Sequence, residues 1–151
     1  MPRNLMDRFQ RDIRYGISLR DDGRIALTAN MKDIYHDILM EVLVNGESLS
    51  IEAAQAEFRK CPENECRHAA DRLEQLVGVT IGKGLNRKIV EALGGGDGCG
   101  NLRNMLLGLL PLAINVKAAE GLGGEQAVME SMREKLTGSC AGYPIGHTAT
   151  V

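Results

Sequence analysis

The chain has 151 residues, 44% of them hydrophobic, a formal charge of −2 at pH 7 and 3% aromatics with no Trp. This is enough apolar material for one ordinary domain with a real core. The slight acidity argues against an electrostatic nucleic-acid binder, and the scarcity of aromatic rings argues against base-stacking platforms.

Residues 1–14 are charged throughout and lack the apolar stretch of a signal peptide. Ile13, Tyr15 and Ile17 then alternate as in a strand, Asp21-Asp22-Gly23 is a turn signal, and Arg24 to Thr28 predicts a return strand. His36, Ile38, Met40, Val42 and Val44 alternate with Asp37, Leu39, Glu41 and Leu43. Asn45-Gly46 follows as a short hairpin signal, because both residues accept positive φ. Leu49, Ile51 and Ala53 carry the pattern towards Phe58, so an antiparallel meander is expected to end at Cys61-Pro62.

From there the period changes. Cys66, Ala69, Ala70, Leu73, Leu76 and Val77 recur at helical spacing and stop at Gly78. Leu85, Ile89, Ala92 and Leu93 mark a short helix that ends at the glycine run Gly94–Gly96. Leu102 to Val116 predicts a long, strongly apolar helix, kinked at Pro111 where a backbone donor is missing. Its run Met105–Ile114, broken by Gly108 and Pro111, is too short for the ~20 residues of a membrane span. Leu107, Leu110 and Ile114 make the helix apolar all round, which allows a buried position or a homo-oligomer contact. Val128, Met132 and Leu136 predict a last helix before a Gly-rich tail. Strands first and helices second give an α+β fold, a three- to four-stranded antiparallel meander followed by a helical half. One domain over 1–151 is expected: a lead of 1–12 that allows disorder, a sheet over 13–60, helices over 61–137 and a tail over 138–151.

The glycine loop does not read as a nucleotide site. No Gly-Lys-Ser/Thr follows it, and it lies between two helices, not between a strand and a helix. The cysteines carry more. Cys66 and Cys99 both stand at predicted helix N-termini, a setting that favours thiolates. Each also reads as a small buried apolar residue, Cys66 above all, since it shares a face with Ala69, Ala70 and Leu73. Cys61 and Cys66 are spaced more widely than the two-residue knuckle of most zinc sites. His36-Asp37 at a strand entrance suits metal ligation or a base with its orienting partner, and equally a surface pair at a loop end. His68, His147, Cys140 and Tyr143 are less informative.

These residues together resemble an uncharacterised bacterial family of unknown function. Its members carry an HDMW-type strand opening, matched by His36-Asp37, and a PxxxC motif, matched by Pro62 and Cys66. They also carry a GCTHL-type motif, matched at Gly98, Cys99 and Leu102, and a late Cys-His tail, matched at Cys140. Gly100-Asn101 replaces Thr-His after the central cysteine, and Ala141 replaces the late histidine. More distantly, Asp37 to Glu41, Ile51 to Phe58 and Cys99 to Leu102 resemble stretches of NifU/IscU-type iron–sulfur cluster scaffolds, of SufE/NifU-like fold. That resemblance implies convergence of Asp37, Cys66 and Cys99 at one end of the sheet, with Cys61 competing for the middle position. Tyr35 and Gly98 stand where the scaffolds have a cysteine and a histidine ligand. His36 and Cys140 are the residues left to fill the gap.

The expected function is a non-catalytic cytoplasmic module that binds zinc or an iron–sulfur cluster through Asp37, Cys66, Cys99, His36 and Cys140. Metal or sulfur transfer to a protein partner is the expected use, with no nucleic acid and no membrane involved. Two alternatives stand beside it. One is a metal-free structural or interaction domain with core cysteines. The other is a sulfur-handling protein with Cys99 as the acceptor thiol.

Overall fold

The computed structural model describes residues 5–146. A short 3-10 turn, Leu5–Arg8, precedes four strands: β1 (Asp12–Leu19), β2 (Ile25–Lys32), β3 (Asp37–Val44) and β4 (Ile51–Lys60). They form one antiparallel sheet in the order β1-β2-β3-β4, so the meander has four strands. The register places Met31 opposite Ile38, Ala29 opposite Met40, Leu27 opposite Val42 and Ile25 opposite Val44. All eight are buried, which is what a period of two produces when one face meets a core.

Asn45-Gly46 does not form the expected two-residue turn. The link is a loop over 45–50, in which the Asn45 side-chain oxygen accepts from the backbone N–H groups of Glu47 and Ser48, at 2.9 and 3.0 Å. Positive φ falls on Leu49, at 58°. Gly46 is needed for a different reason: a Cβ there would collide with the carbonyl oxygen of Gly23, in the neighbouring hairpin turn.

The helical half begins with a long 3-10 helix, Asn64–Leu76, followed by α1 (Leu85–Leu93), α2 (Gly100–Leu109), α3 (Leu112–Ala119) and α4 (Gly124–Lys135). The 3-10 winding replaces the α-helix expected over these residues. Three of the steps along its apolar row, 66 to 69, 70 to 73 and 73 to 76, are of three residues, which 3-10 geometry meets as well as α. Ala69, Leu73 and Leu76 are buried, and this helix packs against β4 and α1. The predicted face of α1 is buried in full, at Leu85, Ile89, Ala92 and Leu93. α2 buries Leu102, Met105, Leu106 and Leu109 and packs on β2. Pro111 does more than kink the expected long helix. It separates α2 from α3, and the junction closes with tighter bonds from Ala113 N–H to Leu110 O and from Ile114 N–H to Pro111 O, both 3.1 Å.

Contacts divide the chain into two compact units, Met1–Ile114 and Asn115–Val151. The second holds α4, on which no residue is buried, and a turn in which Tyr143 N–H donates to Cys140 O at 3.0 Å. Among the described residues no single helix is long and apolar enough to cross a membrane. His147 and the end of the tail lie outside the described residues. So does part of the 1–12 lead, although the chain is regular from Leu5–Arg8 and enters β1 at Asp12.

Candidate functional site

The glycine run sets the position of Cys99. α1 ends at Leu93, and Gly95 takes positive φ, 73°. The chain then doubles back, so that Cys99 N–H donates to Leu93 O at 3.1 Å. A Cβ on Gly98 would strike the Leu93 carbonyl and come within 2.8 Å of Gly94 O. Only glycine fits there, so the Gly-Cys pair is a geometric unit: Gly98 permits the approach that places Cys99. Cys99 is the N-cap of α2, with extended backbone, and its carbonyl accepts the first helical bond from Arg103 N–H at 3.0 Å. Its side chain does not cap the helix.

Cys99 lines a cleft of about 540 Å³ that Cys66 also lines. One wall is the 3-10 helix, with Glu65, Cys66 and His68; the other is the glycine loop, with Asp97 and Cys99. Arg72 Nε donates to Ala92 O at 3.0 Å and ties the 3-10 helix to the end of α1, holding the two walls in place. Both thiols are half-buried and neither is in a disulfide. Two soft donors 33 residues apart in sequence therefore face one space.

His36 sits elsewhere, in a closed cluster. The β2–β3 turn is folded around Asp33, whose carboxylate accepts from Tyr35 N–H and His36 N–H, both at 2.8 Å. The same carboxylate meets His36 Nδ1 at 2.9 Å and Arg11 Nε at 2.8 Å. Its side chain is fully buried. Burial by itself would raise the Asp33 pKa; the Tyr35 N–H, Arg11 and His36 bonds outweigh it and hold the carboxyl at about 2. On the far side of the ring, Asn101 Nδ2 is 3.1 Å from His36 Nε2, while Asn101 Oδ1 accepts from Arg11 at 3.2 Å. The amide oxygen being taken by Arg11, its nitrogen donates to His36. The network thus assigns Nε2 as acceptor and the ring proton to Nδ1, facing Asp33. Phe9 stacks with Tyr35 and carries the Arg11 guanidinium over its ring at 5.6 Å, which packs the cluster from the N-terminal side.

The sequence candidates therefore separate. Cys66 and Cys99 share the cleft. Asp37 is not among the residues that line it. It opens β3 between Lys32 and Lys60 on the adjacent strands, and its carboxylate accepts from Asn30 Nδ2 at 3.1 Å. The expected partnership of His36 with Asp37 is corrected too: the carboxylate that orients the imidazole is Asp33. Cys61 is not among the residues that line the cleft, and its sulfur accepts from Arg67 at 3.0 Å. Cys140 is exposed in the second unit. No group of three or more His, Cys, Asp and Glu side chains placed to hold a metal ion occurs among the described residues. The scaffold-type triad of Asp37, Cys66 and Cys99 is thus not assembled, because β3 pairing commits Asp37 to the sheet. Sequence reasoning missed Asp33, Arg11 and Asn101. Asp33 carried one usable signal, an Asx residue three before a histidine at a strand-to-strand turn.

A family model for proteins of unknown function, DUF2889, matches residues 9–115. The chain belongs to the DUF2889 family. The match covers the four strands, the 3-10 helix, α1 and α2, and so takes in both the cleft and the Asp33–His36–Asn101 cluster. No curated protein and no solved structure matches the chain. The likeness to iron–sulfur scaffolds accordingly finds no support, whereas an uncharacterised family is what the DUF2889 match gives.

Proposed function

We propose that this DUF2889 chain is a non-catalytic module that binds a soft metal ion in the cleft, through Cys66 and Cys99. The observation that carries this reading is that the two thiols line the same cavity from different elements. Thiolate sulfur selects soft or borderline ions such as zinc or copper(I) over magnesium and calcium. Glu65, His68 and Asp97, on the same walls, are the donors available for completing a site once an ion draws the walls together. His36 is not available, since both of its ring nitrogens are engaged, and Asp37 belongs to the sheet. The ligand set of an iron–sulfur scaffold does not fit these residues, and no cluster chemistry is assigned. A site of two thiols with weaker oxygen or imidazole donors would hold its ion loosely, which suits delivery to a protein partner. Its thiols must stay reduced, as in the cytoplasm.

The test is a titration of the fully reduced protein with Co2+ under anaerobic conditions. The expected result is a sulfur-to-cobalt charge-transfer band that Zn2+ displaces. Cys66→Ser and Cys99→Ser should each abolish it, while Cys61→Ser, Cys140→Ser and Asp37→Ala leave it intact. No band would return the chain to the reading of a metal-free interaction domain, and a band indifferent to Cys66 and Cys99 would put the metal on other cysteines and overturn the cleft site.

A further inference from the structure

The sheet has two edge strands, β1 and β4, and the 3-10 helix packs against β4. Among the described residues no strand pairs with β1 on its outer side. Four apolar residues of β1 are exposed: Ile13 41%, Tyr15 37%, Ile17 40% and Leu19 65%. They stand opposite Met31, Ala29, Leu27 and Ile25, all buried, so they continue the core face of the sheet; the Tyr15 ring lies over Gly108 of α2, where a Cβ would strike it, and the rest of the row runs on to the edge. β1 has eight residues and no proline, and natural edges of that length are normally blunted or paired.

The free hydrogen-bonding groups of this edge restrict what can pair with it. Arg20 N–H donates to Arg24 O at 2.8 Å, so the even-numbered residues of β1 direct their backbone groups to β2. Antiparallel pairing alternates, hence Ile13, Tyr15, Ile17 and Leu19 turn their N–H and C=O groups outwards. A second copy must therefore pair odd residues with odd residues, and this keeps both apolar rows on one face.

We propose that a second copy of this chain pairs antiparallel along β1, about a two-fold axis at Gly16, and continues the sheet into the partner. In that register Tyr15 meets Ile17, Ile13 meets Leu19, and Asp12 meets Arg20, each pair occurring twice by symmetry. The apolar row faces its own equivalent, opposite charges face each other at both ends, and about eight backbone hydrogen bonds form. Charge decides among the neighbouring registers. A slip of one pair in one direction sets Arg14 against Arg20; in the other it sets Asp12 against Ser18 and Arg20 against Gln10. The axis falls at the residue with no side chain. Gly16 is already fixed as glycine within one chain, because a Cβ there would lie 2.8 Å from Thr28 Oγ1. The surface lies wholly within the first unit and does not involve the cleft.

The experiment is light scattering and sedimentation of the full chain over on the order of 1 to 100 μM. The expected species has twice the 16.4 kDa mass of one chain. Ile17→Lys should give a monomer whose circular dichroism spectrum is unchanged. Asp12→Lys and Arg20→Glu should each weaken the dimer by roughly tenfold, and the double variant should return it to near the original affinity. A chain that is monomeric throughout overturns the proposal and leaves the edge to a strand of another protein. A dimer that ignores all these variants, or single charge reversals that the double variant does not rescue, overturns it as well.

Discussion

Cys99 and Asn101 stand two residues apart at the start of α2 and belong to opposite kinds of site. Asn101 closes a cluster in which Asp33, His36 and Arg11 are bound to each other or to the backbone, with the Asp33 side chain out of water. Cys99 opens on a cleft where half-buried thiols, a histidine and carboxylates face free space. A polar group that is buried has to be satisfied internally, and such closed networks hold elements together. Groups that line a cleft keep their bonding capacity for something else. The same helix start thus carries a structural latch on one side and a candidate binding surface on the other.

The largest expected effect strikes the shared support. Gly98→Ala forces a Cβ into the Leu93 carbonyl, displaces the start of α2 and should cost about 3 kcal/mol in chemical denaturation. Asp33→Ala strips the latch of its central acceptor and leaves Arg11 Nε and the N–H groups of Tyr35 and His36 without one. A loss of roughly 2–3 kcal/mol is expected. A loss below about 0.5 kcal/mol would mean that the cluster is not a latch.

Acid tests the same residue without mutation. The Asp33 carboxyl titrates at about 2 in the folded chain against 3.8 unperturbed. Its depressed pKa stabilises the fold fully above about pH 4, and that share, roughly 2 kcal/mol, is lost as pH falls towards 2. Thermal melts from pH 5 to 2 should show this loss in the wild type and a smaller one in Asp33→Asn.

Asn101→Ala removes the donor to His36 and the acceptor of Arg11 from a partly exposed position, and about 1 kcal/mol is expected. Smallest is the effect on the cleft side. Cys66→Ala and Cys99→Ala should each change stability by less than about 1 kcal/mol, because neither thiol fills the core. If either costs much more, the cysteines are packing residues and the contrast between latch and cleft collapses.

The strands were legible because their signal is local. Alternation in Ile38–Val44 fixes which side of β3 is buried, and a one-residue slip would reverse every side chain. The apolar spacing of α1 was legible for the same reason. The turn after β3 was misread: Asn45-Gly46 has the composition of a two-residue hairpin, but the Asn45 side chain binds two backbone donors further on and lengthens the loop. Composition cannot tell a glycine needed for positive φ from one needed for close approach, and Gly46 and Gly98 are both of the second kind.

Of the candidate site, the sequence marked Cys66 and Cys99 by their place at helix starts, and their meeting in one cleft was an expectation of resemblance only. His36 and Asp37, adjacent in sequence, suit metal ligation, a base with its orienting partner, or a plain surface pair. Yet neighbours on a strand entrance point to different sides, and the partner of His36 is Asp33. Its second partner, Asn101, lies 65 residues away and registered in the sequence only as a departure from a motif.

By itself, then, the sequence determined the α+β order, the inward face of β3, the buried face of α1 and the glycine loop before Cys99, all from periodicity or single-residue backbone constraints. The tertiary structure alone decided that Asp33, His36, Asn101 and Arg11 form one cluster, that Asp37 is not among the residues lining the cleft, and that β1 is an edge strand among the described residues. These depend on which elements pack together. Packing is settled by the burial of many side chains at once, and no local pattern encodes it.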